Sequence, residues 1–176
     1  MKFKLKDARE VEVRLLRKDD DPLAFLKHIN ALVAEGAFLS MIRRNTLKQE
    51  IKWLAEMLAK QKKGKFFMLV CWHGKSIAGV CDVRKIDMQS EEGNTELGIA
   101  IAKPFRGFGL GELILKEAIA LAKKKWRPRN IYLTVYSGNK PAIALYEKVG
   151  FRKVASLPNW VLNKGKYYDK WFMVLK

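Results

Sequence analysis

Polar and apolar positions along the chain change period several times, and each change predicts an element. From Val11 to Leu16 they alternate, with Val11, Val13 and Leu15 set against Glu12 and Arg14, which predicts a half-buried strand. Asp19-Asp20-Asp21-Pro22 predicts a helix start, an acidic cap with proline in the first turn. Leu23, Leu26, Ile29, Leu32 and Val33 then keep helical spacing until Gly36. A second helix opens at Thr46, where Thr46-x-x-Gln49 has the spacing of a capping box, and its stripe is Leu47, Ile51, Leu54, Met57 and Leu58. Phe66 to Trp72 is an unbroken apolar run, short enough for a strand covered on both faces. A tight turn at His73-Gly74-Lys75-Ser76 returns Ile77 to Arg84 as the next strand. Glu91-Glu92-Gly93-Asn94 turns again, and Thr95 to Ala102 completes a three-strand antiparallel meander.

The second half alternates helices and strands. A helix from Leu110 to about Lys125 is expected to bury Leu110, Leu113, Ile114, Ala118, Leu121 and Ala122. It ends on Lys123-Lys124-Lys125, which suits the negative end of a helix dipole better than it suits a nucleic-acid patch. After Pro128, Ile131 to Tyr136 reads as a strand lying beside Thr95–Ala102 through a crossover helix. Asn139 caps a short helix that carries Pro141 in its first turn, buries Ile143, Leu145, Tyr146 and Val149, and stops at Gly150. Phe151 to Val161 and Lys166 to Leu175 form a closing hairpin around Asn163-Lys164-Gly165. The order β-α-α-β-β-β-α-β-α-β-β describes a mixed α/β (α+β) fold around one central sheet, with no repeat and no linker.

Composition adds limits. With 176 residues, 49% hydrophobic and 30% charged, the chain is expected to be one soluble domain. No apolar run approaches the roughly 18 residues a membrane helix needs. The start, Met1-Lys2-Phe3-Lys4-Leu5, lacks the apolar core of a signal peptide, so a cytoplasmic location and no membrane contact are expected. Cys71 and Cys81 fit neither a metal spacing nor a disulfide framework and read as buried free thiols. The net charge of +17 attracts anions in general, but the lysines are spread along the chain and choose no partner.

Chemistry concentrates where the strand Ile99-Ala100-Ile101 runs through Pro104 into Arg106-Gly107-Phe108-Gly109-Leu110-Gly111 and a helix. Glycines let consecutive N–H groups converge on one anion, the helix dipole adds to the attraction, and Arg106 brings a full charge. The loop is readable as a pyrophosphate cradle or as an ordinary strand-to-helix turn. It is not a Walker loop, because Glu112 follows Gly111, and the spacing Gly107, Gly109, Gly111 is not a dinucleotide fingerprint.

Two segments read together resolve this. Leu97 to Gly111, and Asn139-Lys140-Pro141-Ala142-Ile143-Ala144-Leu145-Tyr146-Glu147-Lys148-Val149-Gly150-Phe151, closely resemble the paired signature of the GNAT superfamily of N-acetyltransferases. That signature is Arg/Gln-x-x-Gly-x-Gly/Ala followed by Asn-x-x-Ala-x-x-Leu-Tyr-x-x-x-Gly-Phe. Tyr168-Asp169 and Met173-Val174-Leu175 also look like the last strand of many members, so the resemblance covers about residues 8 to 175. It implies the acyl-CoA N-acyltransferase fold, a central and mostly antiparallel sheet with a splayed parallel strand pair flanked by helices. Residues 1–176 then make a single N-acetyltransferase domain, with acetyl-CoA as co-substrate, no metal and no covalent intermediate.

The resemblance also assigns roles. The stretch Arg106, Gly107, Phe108, Gly109, Leu110 and Gly111 would bind the cofactor pyrophosphate through backbone N–H groups. Ile99, Ala100 and Ile101 would hold the pantetheine arm, and Asn139 would contact the cofactor while capping its helix. Tyr146 would protonate the departing thiolate, a phenol of pKa near ~10 being still protonated at neutral pH; the alternative is that it only packs its helix on the sheet. Glu96 is the candidate base, directly or through water, unless it simply faces solvent. His28 and His73 are candidates by residue type alone and read as surface groups. The acceptor amine stays open between protein and small molecule, and a homodimer is possible. Against this stand a non-catalytic acyl-CoA-binding or regulatory module and a basic nucleic-acid-associated protein. No nucleic-acid motif supports the last of these, and nucleic acid is not expected as a partner. A polycationic acceptor would need acidic residues in the site, Asp19 to Asp21 or Glu91 and Glu92 being the sequence candidates.

Overall fold

The architecture is that of a computed structural model, which describes residues 1–86 and 88–176. In chain order the elements are β1 (Lys2–Lys4), β2 (Glu10–Leu15), α1 (Pro22–Ala34), α2 (Leu47–Lys62), β3 (Phe66–His73), β4 (Ser76–Lys85) and β5 (Asn94–Ile101). Then follow α3 (Leu110–Trp126), β6 (Asn130–Tyr136), α4 (Lys140–Val149), β7 (Phe151–Asn163) and β8 (Lys166–Leu175). Short 3₁₀ turns occupy Gln89–Glu91 and Lys103–Phe105. The strands form one eight-stranded sheet ordered β1-β2-β3-β4-β5-β6-β8-β7, antiparallel throughout except where β5 meets β6. The expected mixed fold and meander are therefore present. The lysine-rich edge strand β1 was not expected, because three residues are too few to show a period.

Side-chain parity on β3 explains how one strand serves two cores. Phe67, Leu69 and Cys71 join the core beneath α3 and α4, while Phe66, Met68, Val70 and Trp72 join the core beneath α1 and α2. Every residue from Phe66 to Trp72 is buried, as its unbroken apolar run requires. Cys71 pairs with Gly79 and Cys81 with Leu69, so the two buried thiols do not face each other and stay free.

The helices follow their caps more faithfully than their stripes. Asp21 caps α1, its carboxylate accepting from Leu23 N–H at 2.9 Å, and Thr46 and Gln49 form the complete capping box of α2. The buried face of α1 is Ala24, Phe25, His28 and Leu32, whereas Leu23 is exposed. On α2 it is Glu50, Leu54 and Met57, with Leu47 and Ile51 in solvent. On α3, Leu115 and Ile119 are buried, and Leu113 and Leu121 only partly so. In α1 and α2 the stripe is rotated because a polar residue occupies a position on the inner face.

The centre of the sheet is interrupted. β5 pairs with β4 over seven residues, from Thr95 opposite Lys85 to Ile101 opposite Gly79. It pairs with β6 at only three positions, Asn94–Asn130, Thr95–Ile131 and Glu96–Tyr132, after which the two strands part. β6 turns to β8 instead, from Tyr132 opposite Val174 to Tyr136 opposite Lys170.

Candidate functional site

Where β5 leaves β6, its outer edge from Leu97 to Ile101 has no strand partner, so backbone N–H and C=O groups there remain for a ligand. A cavity of about 550 Å³ opens at this split and extends under α1 and α2. Its walls include Glu96, Ile99, Ala100, Asn139 and Tyr146, five of the residues that the sequence singled out. Ile101 and the stretch from Arg106 to Gly111 are not in the wall; they form the loop beyond it that leads into α3.

That loop has the backbone an anion site requires. Gly107 and Gly109 hold φ of +82° and +91°, a left-handed conformation that side chains resist, and a Cβ on Gly107 would meet open space. Gly109 stands at the N-cap of α3 and makes no side-chain cap, so the first-turn N–H groups keep their donors. Leu110 is fully buried and can offer only its backbone, and Gly111 lies in the first helical turn against Leu145. Phe108 is half-buried under the Arg9 guanidinium, 5.1 Å from its ring centre. Residues 5 to 9 brace the loop from behind: Lys6 N–H donates to Phe108 O at 3.2 Å and Arg9 Nη2 to Pro104 O at 2.7 Å. Nothing in the sequence marks this brace, because its partners lie 95 positions apart.

The Arg106 side chain does not stand free in the loop. Its Nε donates to Ile101 O at 2.9 Å and its Nη2 pairs with Glu35 at the C-cap of α1. The Glu35 carbonyl in turn accepts from Lys164 Nζ at 3.0 Å, from the tip of the β7–β8 hairpin. Beside that contact Phe38 packs edge-on against Tyr168 (5.1 Å) and Tyr136 (6.2 Å), closing the α1–α2 loop over the cavity.

Tyr146 is 6% exposed on α4, its ring edge-on to Phe151 at 6.1 Å. Burial, with smaller contributions from Cys81 and Asp82, pushes its hydroxyl well above the ordinary phenol range, so it is protonated at any physiological pH. Asn139 occupies the N-cap of α4 as expected, but its side chain makes no capping hydrogen bond. Glu96 faces the α1–α2 side of the sheet, 3.8 Å from Arg84 Nη1, and Arg84 Nη2 also bonds Asp82 at 2.5 Å. Burial pushes the Cys71 thiol up to about 12 and the Cys81 thiol well above its ordinary range, so neither is a nucleophile.

Two further groups in the wall, Glu50 and Asp82, went unread in the sequence, and a third, His28, was misplaced. His28, expected at the surface, is 8% exposed, and burial lowers it to about 4. Glu50 is 3% exposed, and Asp82 lies between its neighbours on β4. His73 does stand exposed at its turn, its Nδ1 donating to Glu10 O at 2.9 Å. The signal for Glu50 was its place at helical spacing from Leu54 and Met57, a carboxylate on an apolar face. The acidic clusters at Asp19–Asp21 and Glu91–Glu92 line no part of the cavity. Among the described residues, no three His, Cys, Asp or Glu side chains gather into a metal-ligating group, and no helix is long and apolar enough to cross a membrane.

Comparison with known proteins agrees with this geometry. The N-acetyltransferase YokL, derived from the SPbeta prophage in Bacillus subtilis and itself uncharacterised, is 28% identical over 118 residues, 67% of this chain and 64% of YokL. An N-alpha-acetyltransferase from Saccharolobus solfataricus is 32% identical over 91 residues, 52% of this chain and 50% of the relative. This chain thus spans less than two thirds of either relative. Among solved structures, a GNAT-family acetyltransferase from Streptococcus pneumoniae superposes with a TM-score of 0.80 at 24% identity, covering 93% of this chain and 98% of that one. The structure of yncA from Salmonella typhimurium with its cofactor acetyl-CoA gives 0.81 at 22% identity, covering 94% and 93%. The family model described as "Acetyltransferase (GNAT) family" matches residues 36–151, a span that holds the split strands, the glycine loop and the helix of Tyr146. By that match and by the fold built around it, the chain belongs to the acetyltransferase (GNAT) family.

Proposed function

We propose that this protein transfers the acetyl group of acetyl-CoA to a primary amine by direct attack within a ternary complex. The observation that carries the reading is the buried Tyr146 hydroxyl-bearing ring at the split where the β5 edge is unpaired. The residues present fit the co-substrate. Unpartnered N–H groups at the start of α3 and the left-handed glycines suit a pyrophosphate, and the edge at Ile99–Ile101, which β6 leaves unpaired although Arg106 Nε holds the Ile101 carbonyl, suits an amide-bearing arm. Asn139, with no capping duty, is free to donate to it. When bound, acetyl-CoA supplies an acetyl thioester at the split.

The amine nitrogen forms a C–N bond as the C–S bond breaks, so one proton must leave nitrogen and one must reach sulfur. An ammonium of pKa near ~10 has to lose a proton before its lone pair can attack. Glu96, on the face from which an acceptor would enter, is the group assigned to take it directly or through water. Tyr146 is assigned to give a proton to sulfur. Its raised pKa does not disqualify it, because the same low-dielectric site that disfavours phenolate also disfavours thiolate and raises the basicity of the leaving sulfur.

Titration calorimetry with acetyl-CoA on the native chain and on Gly109→Glu, followed by thiol release with an amine panel, tests the reading. Binding that is lost in the variant, together with amine-dependent thiol release, is expected. A well-folded native protein that does not bind acetyl-CoA would overturn it. Binding without release across amines and peptides would favour a non-catalytic acyl-CoA module.

A further inference from the structure

The α1–α2 end of the cavity contains a charge that the protein leaves uncompensated. Glu50 Oε2 accepts from Asn45 Nδ2 at 2.8 Å, and Asn45 is itself held by Asn30 through bonds of 2.8 and 2.9 Å. Among the described residues, that carboxamide is the one partner that favours the ionised carboxylate, and no cation offsets its burial. The other carboxylates of the wall are different, since Asp82 and Glu96 share Arg84. Elsewhere in the same wall, on α1, neither ring nitrogen of His28 is in hydrogen-bonding geometry, although the Ile77 backbone lies close. A buried carboxylate without a cation and a buried imidazole without a partner cost free energy unless something else completes them.

The topology says how far away the reacting atoms are. Glu50 comes from α2 on one face of the sheet, where Phe25, Trp53 and Met68 line the cavity around it. Tyr146 belongs to the core on the opposite face and reaches the cavity only through the split between β5 and β6. A ligand that meets both must therefore pass through the split. A ligand that fills the cavity has a nitrogen at the split and a second donor on the Glu50 side, with apolar length between them.

Resting on the acetyltransferase reading above, we propose that the acceptor is a short α,ω-diamine. One amine is acetylated at the split, and the second, as an ammonium, is held by Glu50 at the α1–α2 end, whose wall also carries the His28 ring. His28, lowered to about 4, adds an acceptor nitrogen instead of a competing positive charge. An acceptor ending in a carboxylate would set an anion against Glu50. The +17 surface opposes the approach of any cation, so the preference is expected to persist at physiological salt, where a Debye length of ~8 Å screens that field.

The test is calorimetric and does not require turnover. Short α,ω-diaminoalkanes, n-alkylamines of matched chain length and the matching ω-amino acids are titrated into the full chain, with and without saturating CoA. The diamine is expected to bind at least about tenfold tighter than the alkylamine, with the ω-amino acid weakest, and the ratio is expected to fall to about one in Glu50→Gln. Equal binding of diamine and alkylamine by the native chain, tightest binding of the ω-amino acid, or a ratio unchanged in the variant would each overturn the proposal. The native ligand series needs no variant, so a misfolded Glu50→Gln does not shield it. If CoA itself fails to bind while the diamine preference holds, the acetyltransferase reading falls and the subsite stands; loss of both disposes of both.

Discussion

Glu50 makes a stability prediction that is independent of any ligand. The residue is 3% exposed, with one neutral hydrogen-bond donor and a position in the first turn of α2, where the dipole favours an anion by roughly 0.3–1 kcal/mol. Ionising a buried carboxylate costs several kcal/mol after relaxation, and a hydrogen bond to a charged group returns about 1.5–3. The balance leaves the charged form destabilising by about 2 kcal/mol. Burial raises the folded-state pKa above the ordinary 4.5, so the folded protein binds more protons than the unfolded chain once pH exceeds that value. Stability therefore falls as pH rises through the folded pKa, and it is unaffected below 4.5, where both states are protonated. Glu50→Gln keeps the oxygen that Asn45 needs and removes the charge at every pH. In urea or thermal unfolding from pH 4 to 8, the variant should match the native chain at the acid end and exceed it by about 2 kcal/mol at neutral pH, roughly 4–8 °C in Tm for a chain of this size. His28 acts with the opposite sign: its folded pKa of about 4 lies below 6.5, so stability is lost as pH falls between them. Both proteins share that contribution, and it cancels in the difference. A difference that is flat with pH, or a variant less stable at neutral pH, would show that the carboxylate is already compensated.

Tyr146→Phe should lower kcat by about 10²-fold or more at saturating substrates with little change in KM, the usual range for losing a general acid, and an unaltered kcat would remove the hydroxyl from the chemistry. Asp20→Ala should cost about 3 kcal/mol in denaturant titrations. It removes the 3%-exposed carboxylate that Arg14 is hydrogen-bonded to, leaving Arg14 only the weaker influence of Glu12 and Asp19. Gly138→Ala should cost about 1–3 kcal/mol and weaken amine binding, since its Cβ would collide with the Tyr168 ring and fall 2.7 Å from that of Phe38; a neutral effect on Tm would refute this packing. Cys71 and Cys81 should resist thiol reagents until the chain unfolds, and labelling in the native state would contradict their burial.

What was legible in the sequence was what local chemistry decides. Asp21, Thr46, Gln49 and Gly150 mark helix ends because capping is a property of a few adjacent residues. Phe66–Trp72 announced a doubly covered strand, and the two spaced motifs announced the split and the loop beside it. The faces of α1 and α2 were not legible. A stripe drawn through leucines assumes that the inner face is apolar, and here His28 and Glu50 lie on it. The same error hid the cavity's far end. Arg106 was found, but its engagement with Glu35 and Ile101 depends on α1 returning to the loop, a tertiary relation that no local pattern contains.

The sheet's interruption has a mechanical consequence. Strands β1 to β5 and strands β6 to β8 are two plates joined by three paired positions, Asn94 to Glu96 with Asn130 to Tyr132. Across that short seam the further ties include the α3 crossover, the side chains of the α3–α4 core, and the contacts of Lys164 with Glu35 and of Phe38 with Tyr136 and Tyr168. The width of the opening is therefore set in large part by elements that do not line it, as the gape of a pair of tongs is set at the hinge. Lengthening or shortening the crossover would change how far the plates stand apart while every residue of the wall stayed the same.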